Sequence, residues 1–283
     1  MLTPATETEA AELIRDHGAR KIPLHIRGGG SRAGFGNSVA ADTPLSSAAL
    51  TGIVEYNPAE MVITARAGTP VAEIEAALAE NGQVMAFEPM DHRGAMGTTG
   101  TPTIGGLFAV NSSGPRRFTA GAARDHLLGV RFVNGAGDVV KAGGKVMKNV
   151  TGLDLVKLLA GSHGTLGFLT EVTFKVLPVP KTAATIVISG LEDEQAMKAL
   201  AAALSLSVEV SGAAHLPESV RGRFIGGKLP EGAATVMRLE GLEASVAVRA
   251  EKLLAAISGL GPVSRSEERR VGKECRSRWS PYP

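Results

Sequence analysis

The first half of the chain alternates short helical and strand-like patterns of apolar residues. Residues 6–18 start with a capping box, in which Thr6 precedes Glu9 by three positions, and then repeat apolar residues at helical spacing. A second helix is predicted to start at a Thr69–Pro70 cap and to end near residue 79. Further patterns predict strands at 22–27, 61–65 and 169–176, a hairpin at 130–140 and a helix at 153–159.

The composition changes after Pro180. Beyond that residue, strands are predicted at 185–189, 208–210 and 234–239, and helices at 192–204 and 245–257. We therefore expect an α+β protein of two domains, residues 1–180 and residues 181–264. The second domain is expected to lack its last strands.

Residues 265–283 break with the rest of the chain. They have no apolar period, they are basic, and they contain the only Cys (Cys275) and the only Trp (Trp279). Their sequence, which starts RSEERR, matches the translation of a common sequencing adapter in one reading frame. We therefore expect this segment to be read-through rather than native sequence, and the natural C-terminus to be missing.

Setting that segment aside changes what the charge and the cysteine count imply. It holds six of the 30 Lys and Arg residues and three of the 28 Asp and Glu residues, so the rest has a net charge of −1 instead of +2. A basic surface for nucleic acid thus loses its support. Without cysteine, residues 1–264 cannot supply disulfides, thiol nucleophiles or iron–sulfur ligands. The histidines lack metal-ligand spacing, no apolar run is long enough to span a membrane, and no secretory signal is expected.

A glycine-rich segment, Gly28 to Ser31, directly follows the predicted strand at 22–27. Glycines let backbone N–H groups converge on an anion, so such a turn is typical of a phosphate site. A Rossmann fingerprint is excluded because the next residues, SRAGFG, are too rich in glycine to begin a helix. A Walker loop is excluded because Gly144-Lys145 is followed by Val146 rather than by Ser or Thr.

Four segments, taken in order, resemble the FAD-linked oxidase family of the vanillyl-alcohol-oxidase type. They are PLHIRGGGS at 23–31, TIGG at 103–106 followed by NSSG at 111–114, RDHLLG at 124–129, and GSHGTLGFLT at 161–170. The first two resemble the pyrophosphate loop and the second glycine loop of that family, and the last resembles its G-S-x-G-x-L-G-x-x-T signature. The resemblance implies a cradle of two α/β subdomains that holds FAD, followed by a cap domain that is truncated here.

Within that family, further segments are similar to the FAD-binding subunit of glycolate oxidase. They are GPRRF at 114–118, GKVMKNV at 144–150, AHLP at 214–217 and RLEG at 238–241; Leu153 departs from the family, which more often has Tyr there. This resemblance implies a FAD-dependent oxidoreductase subunit that acts on glycolate or another small 2-hydroxy acid. It also implies two partners, a related FAD-binding catalytic subunit and an iron–sulfur subunit, and a cytoplasmic location with membrane association only through the complex.

The resemblance also assigns residues to the cofactor. They are Arg27, Gly28, Gly29, Gly30, Ser31, Thr103, Gly105, Gly106, Asn111, Ser113, Gly114, Gly161, Gly164, Phe168 and Leu169. Residues 28–31 would donate to the phosphates without a charged clamp, Gly105 and Gly106 would let backbone approach the flavin ring, and residues 161–169 would face the adenosine half. Ser31 stands where relatives with covalent flavin often have the linking His, so the FAD is expected to be non-covalent.

No catalytic residue is assigned, and two alternative functions remain open. One is a stand-alone FAD-dependent D-2-hydroxy-acid dehydrogenase, which a complete cap with a basic substrate clamp would favour. The other is a non-catalytic scaffold that holds flavin and stabilises a catalytic sister subunit. In the leading function, oxidation of a 2-hydroxy acid, the redox chemistry belongs to the flavin, and the protein supplies orientation and electrostatics.

Overall fold

The computed structural model describes residues 1–36, 40–41, 43–145, 152–221 and 231–269. Residues 146–150 of the GKVMKNV motif and residues 270–283 of the C-terminal segment lie outside the described residues. In chain order the helices are α1 Glu7–Ala19, α2 Val71–Glu80, α3 Arg93–Met96, α4 Ile104–Ala109, α5 Arg117–Ala120, α6 Ala123–His126, α7 Leu155–Leu159, α8 Asp193–Ser205, α9 Glu218–Arg221 and α10 Glu243–Ile257. The strands are β1 Leu24–Arg27, β2 Thr43–Ser46, β3 Ile53–Asn57, β4 Val62–Arg66, β5 Gln83–Val84, β6 Leu127–Val133, β7 Val139–Gly143, β8 Phe168–Lys175, β9 Leu177–Pro178, β10 Thr182–Ser189, β11 Gly212–Leu216, β12 Ala234–Gly241 and β13 Val263–Arg269.

The chain divides into two compact units, residues 1–114 with 121–177 and residues 115–120 with 178–283. The first unit contains a five-stranded antiparallel sheet in the order β3-β4-β8-β6-β7 and a parallel pair, β1-β2. One apolar core lies against the large sheet and includes Ile63, Phe108 and Phe174. A second core joins α1 to the β1-β2 pair through Ala10 and Leu45. The unit is therefore built around two apolar cores.

The predicted helix at 6–18 is confirmed as α1 with Thr6 as its N-cap, but the second bond of the predicted capping box goes to Ala5 instead of Thr6. The Thr6 hydroxyl accepts a hydrogen bond from the Glu9 N–H at 3.1 Å, and the Glu9 carboxylate accepts from the Ala5 N–H at 2.8 Å. The predicted cap of α2 is wrong in detail. The Thr69 hydroxyl donates back to the Arg66 carbonyl at 2.7 Å, so it fixes the turn before the helix instead of the helix N-terminus.

The second unit is an antiparallel sheet in the order β11-β12-β10-β13, with α8 and α10 packed on one face. The predicted strand at 208–210 is wrong, since the strand lies further along the chain, at β11. Glu209 has a φ of 49°, and this left-handed conformation interrupts an extended run. Val208 and Val210 are nevertheless buried in the core that the helices share with the sheet. Their apolar alternation therefore reflects burial without a strand.

β13 pairs with β10 along seven residues, from Ile188 opposite Val263 to Thr182 opposite Arg269. Five of the β13 residues belong to the segment predicted to be read-through. Main-chain hydrogen bonds need no particular side chain, so the pairing does not bear on the origin of that segment. Its foreign origin stays a prediction.

Candidate functional site

A cavity of about 550 Å³ lies in the first unit, within the size range of small-molecule and cofactor sites. Its wall is formed by β1 and the residues after it, the start of α4, and the turn that leads into β8. The cavity brings together eleven of the residues that the sequence assigns to the cofactor: Arg27, Gly28, Gly29, Gly30, Ser31, Thr103, Gly105, Gly106, Gly164, Phe168 and Leu169. Segments separated by more than a hundred residues in sequence therefore meet at one site.

The other four assigned residues do not line the cavity and have structural contacts instead. The Asn111 side chain accepts a hydrogen bond from the Arg124 N–H at 2.8 Å, and the Ser113 hydroxyl accepts from the Ala123 N–H at 2.9 Å. The N–H groups of Gly114 and Gly161 donate to carbonyls of Phe87 and Phe108, at 2.7 and 3.2 Å. These contacts hold the chain before α6 and after α7.

The triple glycine packs directly against the backbone of residues 100–103. A Cβ on Gly29 would lie 2.1 Å from the Thr101 carbonyl oxygen, and a Cβ on Gly100 would lie 2.3 Å from the Gly29 carbonyl oxygen. Gly30 and Thr101 also form an isolated parallel bridge. Glycine is needed here because two backbone segments touch, in addition to any approach of a phosphate.

The predicted second glycine loop is instead the N-terminus of a helix. Thr103 is the N-cap of α4, and the N–H of Gly105 donates to the Ala67 carbonyl at 2.8 Å. A Cβ on Gly105 would lie 2.5 Å from the Ala67 Cβ, so this glycine serves the contact with the end of β4. Gly106 differs, since a Cβ there would meet only the Thr103 hydroxyl within 4 Å, at 3.1 Å. The open side of this helix start is therefore at Gly106.

The charged side chains on the cavity wall are cationic. Among the described residues that line it, Arg27 and Arg32 are the arginines, and no Asp or Glu is present. Burial lowers the pKa of the Arg32 guanidinium, and the charge of Asp91 counteracts the effect; arginine remains protonated at neutral pH. A site with two cations and no carboxylate suits a ligand that carries two phosphate charges.

Sequence reasoning missed Arg32 as a cavity residue, although it directly follows the assigned Ser31. It also left out Phe35 and His163, whose rings stack with centroids 5.5 Å apart and planes 7° apart. Both residues line the cavity, and Phe35 is half exposed. Gly34 and Gly36 flank Phe35, and an aromatic residue between two glycines beside a predicted ligand loop is the sequence signal that could have identified it.

The comparisons with known proteins agree with this geometry. A family model described as a FAD binding domain matches residues 1–143 of the chain, half of its length. The chain belongs to the FAD-binding domain family. Its cofactor is FAD, and the cavity fits that assignment by its size, its cationic wall and the glycine backbone at its edge. The glycine segments at 28–31 and 103–106 lie inside the matched range.

Among characterised relatives, the chain is similar to glycolate oxidase subunit GlcE of Escherichia coli strain K12. The two are 41% identical over 208 residues, which cover 74% of this chain and 57% of GlcE. A D-lactate dehydrogenase of Archaeoglobus fulgidus is 29% identical over 178 residues, which cover 63% of this chain and 38% of the dehydrogenase. The chain thus spans about half the length, or less, of these relatives.

Solved structures agree on the fold of FAD-linked oxidases. The 4-ethylphenol oxidase from Gulosibacter chungangensis matches with a TM-score of 0.74 at 13% identity, over 93% of this chain and 56% of the oxidase. An alkyldihydroxyacetonephosphate synthase matches with a TM-score of 0.71 at 20% identity, over 96% of this chain and 53% of the synthase. At these identities the likeness concerns the fold alone. None of the helices among the described residues is long and apolar enough to cross a membrane.

Proposed function

We propose that the chain is the FAD-binding subunit of a complex that oxidises glycolate or a related small 2-hydroxy acid. The observation that carries the proposal is the 41% identity with the glycolate oxidase subunit of E. coli over three quarters of this chain. The partners we propose are a related flavoprotein subunit and an iron–sulfur subunit. Residues 1–264 contain no cysteine, so onward transfer through an iron–sulfur cluster would need ligands from another chain.

The residues of the cavity would bind and orient the cofactor. Arg27 and Arg32 would offset the charge of its phosphates, and the Ser31 hydroxyl would add a neutral donor. The wall at Gly106 would leave room for a flat ring close to the backbone. When bound, FAD supplies two-electron redox chemistry, and the protein contributes position and electrostatics. The FAD would be held non-covalently, because a serine hydroxyl at position 31 does not form the bond that a histidine ring forms.

A second candidate is a stand-alone D-2-hydroxy-acid dehydrogenase. It is favoured by the similarity to the D-lactate dehydrogenase of A. fulgidus, at 29% identity. The two functions differ in whether the chain needs a partner for turnover, and that difference can be measured.

The experiment is dye reduction with glycolate and with D-lactate. A version of the chain extended to the length of the E. coli relative is assayed alone, and again after co-expression and co-purification with a related flavoprotein and an iron–sulfur subunit. The complex predicts little turnover by the chain alone and clear turnover by the co-purified set. Robust turnover by the chain alone would refute the complex and favour the stand-alone dehydrogenase.

A further inference from the structure

Arg32 is held in one orientation by three partners. Its Nε donates to His92 Nδ1 at 3.1 Å, and its Nη2 donates to the Met90 carbonyl at 3.2 Å and to the Ser112 hydroxyl at 3.1 Å. These contacts use the hydrogens of Nε and Nη2. The two hydrogens of the third nitrogen, Nη1, reach no acceptor among the described residues. The guanidinium is therefore fixed on one side and available on the other.

The arginine determines which form of His92 is present. A guanidinium can only donate, so the contact with Arg32 Nε assigns the accepting lone pair to His92 Nδ1 and the ring proton to Nε2; the other tautomer would instead donate from Nδ1 to the Met90 carbonyl, 3.0 Å away. Burial and the nearby charge of Arg32 lower the pKa of His92 and outweigh the opposing effects of the Met90 carbonyl and the Asp91 charge, so the neutral ring is favoured. Met90 O, 3.0 Å from Nδ1, then receives its hydrogen bond from Arg32. A neutral His92 thus belongs to a set of three acceptors that orient the arginine.

The other cation on the wall has no such support. The Arg27 guanidinium lies against Gly30, where its Nη2 would be 2.2 Å from an added Cβ, and it makes no side-chain hydrogen bond within the described part of the chain. The carboxylate nearest in sequence to His92, Asp91, accepts three hydrogen bonds from the Arg93 guanidinium, at 3.1, 2.9 and 2.6 Å. Asp91 is therefore hydrogen-bonded to Arg93 and acts on Arg32 only through its charge, while Arg32 lines the cavity.

We propose that Arg32 binds the pyrophosphate of FAD through Nη1, and that His92 is a positioning residue that holds the guanidinium for this contact. The inference rests on the proposed FAD-binding function and adds a charged phosphate contact to the backbone donors of residues 28–31. Because an arginine fixed in advance loses little side-chain entropy when the ligand arrives, the contact is favourable for affinity.

The test compares two flavins on the flavin-free chain. FAD carries the pyrophosphate, and riboflavin carries the same ring without any phosphate; binding of each is followed by quenching of flavin fluorescence. Arg32→Gln is expected to raise the Kd for FAD by about 10- to 100-fold, as the loss of a charge-assisted hydrogen bond does, and to leave the Kd for riboflavin unchanged. Arg20→Gln is the matched control, because it removes an equal charge from an exposed helix end.

The role of His92 is tested by loss and rescue. His92→Leu removes the acceptor for Arg32 Nε and is expected to raise the Kd for FAD, with riboflavin unaffected. His92→Asn offers an amide oxygen near the position of Nδ1 and is expected to restore most of the affinity. If Arg32→Gln does not fold, the comparison of His92→Leu with His92→Asn still tests the proposal, because both variants retain Arg32.

Three outcomes distinguish the role of Arg32, the role of His92 and the proposed FAD-binding function. If Arg32→Gln binds FAD as the unaltered chain does, or loses FAD and riboflavin by the same factor, then Arg32 only holds the loop and the inference is overturned. If His92→Asn is as weak as His92→Leu, the positioning role of His92 is overturned. If the unaltered chain binds no FAD, the proposed function itself fails.

Discussion

Gly106 offers a way to block the cofactor cavity while leaving the fold intact. Gly106 lines the cavity within α4, and an added Cβ would meet only the Thr103 hydroxyl, at 3.1 Å. A Gly106→Val side chain would therefore occupy space that FAD needs. Gly29 is the opposite case, because a Cβ there would lie 2.1 Å from the Thr101 carbonyl oxygen, which is backbone and cannot move aside alone.

Gly106→Val should mainly raise the Kd for FAD, whereas Gly29→Ala should mainly lower the stability of the fold. At Gly106, replacing a helical glycine by the β-branched valine gains only about 0.3–0.5 kcal/mol, and disturbing the Thr103 cap costs about 1 kcal/mol, so the free energy of unfolding falls by less than about 1 kcal/mol. The added methyl groups meet the ligand instead, at a cost of about 1–3 kcal/mol, which raises the Kd for FAD by about 10- to 100-fold. Gly29→Ala should cost about 3 kcal/mol of stability, which lowers Tm by about 6–12 °C.

The assay measures Tm of the flavin-free protein and the Kd for FAD on the same preparations. Gly135→Ala serves as the control, because nothing lies within 4 Å of an added Cβ there and Gly135 does not line the cavity. We expect Gly106→Val to change affinity at a nearly constant Tm, and Gly29→Ala to lower Tm. If Gly106→Val lowers Tm as much as Gly29→Ala, or binds FAD normally, the argument that Gly106 forms a wall of the FAD site is refuted.

Three further predictions concern Ser31, Glu7 and Gly137. Acid precipitation should release FAD into the supernatant, because Ser31 cannot form the covalent link of a histidine; flavin retained in the pellet would contradict this. Burial by itself would raise the pKa of the Glu7 carboxyl, but hydrogen bonds from Arg131 and Thr170 outweigh it and lower the pKa below the ordinary 4.5. The ionised Glu7 carboxylate therefore stabilises the fold above that pH, and this contribution is lost as the pH falls. The difference in the free energy of unfolding between the unaltered chain and Glu7→Gln, measured by urea unfolding, should shrink on acidification. A difference that stays constant with pH would exclude the ion pair as its cause. Gly137→Ala should lower Tm, because Gly137 has a φ of +80° and an added Cβ would lie 2.8 Å from a backbone oxygen of α1; a Tm equal to that of the Gly135→Ala control would show that the hairpin adapts freely.

The sequence by itself determined the elements whose signals are local. The Thr6 N-cap, the hairpin and the long strand before Pro178 follow from residues a few positions apart, and the structure has each of them. The glycine segments, read through their resemblance to a FAD-binding family, also predicted which parts of the chain border the cavity, although several of those glycines serve backbone packing as well. Eleven of the fifteen residues that the resemblance assigned line one cavity.

The tertiary structure decided which partner each residue serves. Gly29 must be glycine because of Thr101, and the three partners of Arg32 lie 58 to 80 residues away in sequence. No local pattern encodes such contacts, since they exist only after the strands pair and the loops meet. The apolar alternation at 208–210 was misleading for the same reason: those side chains are buried by packing against helices, and burial in a core does not require a strand.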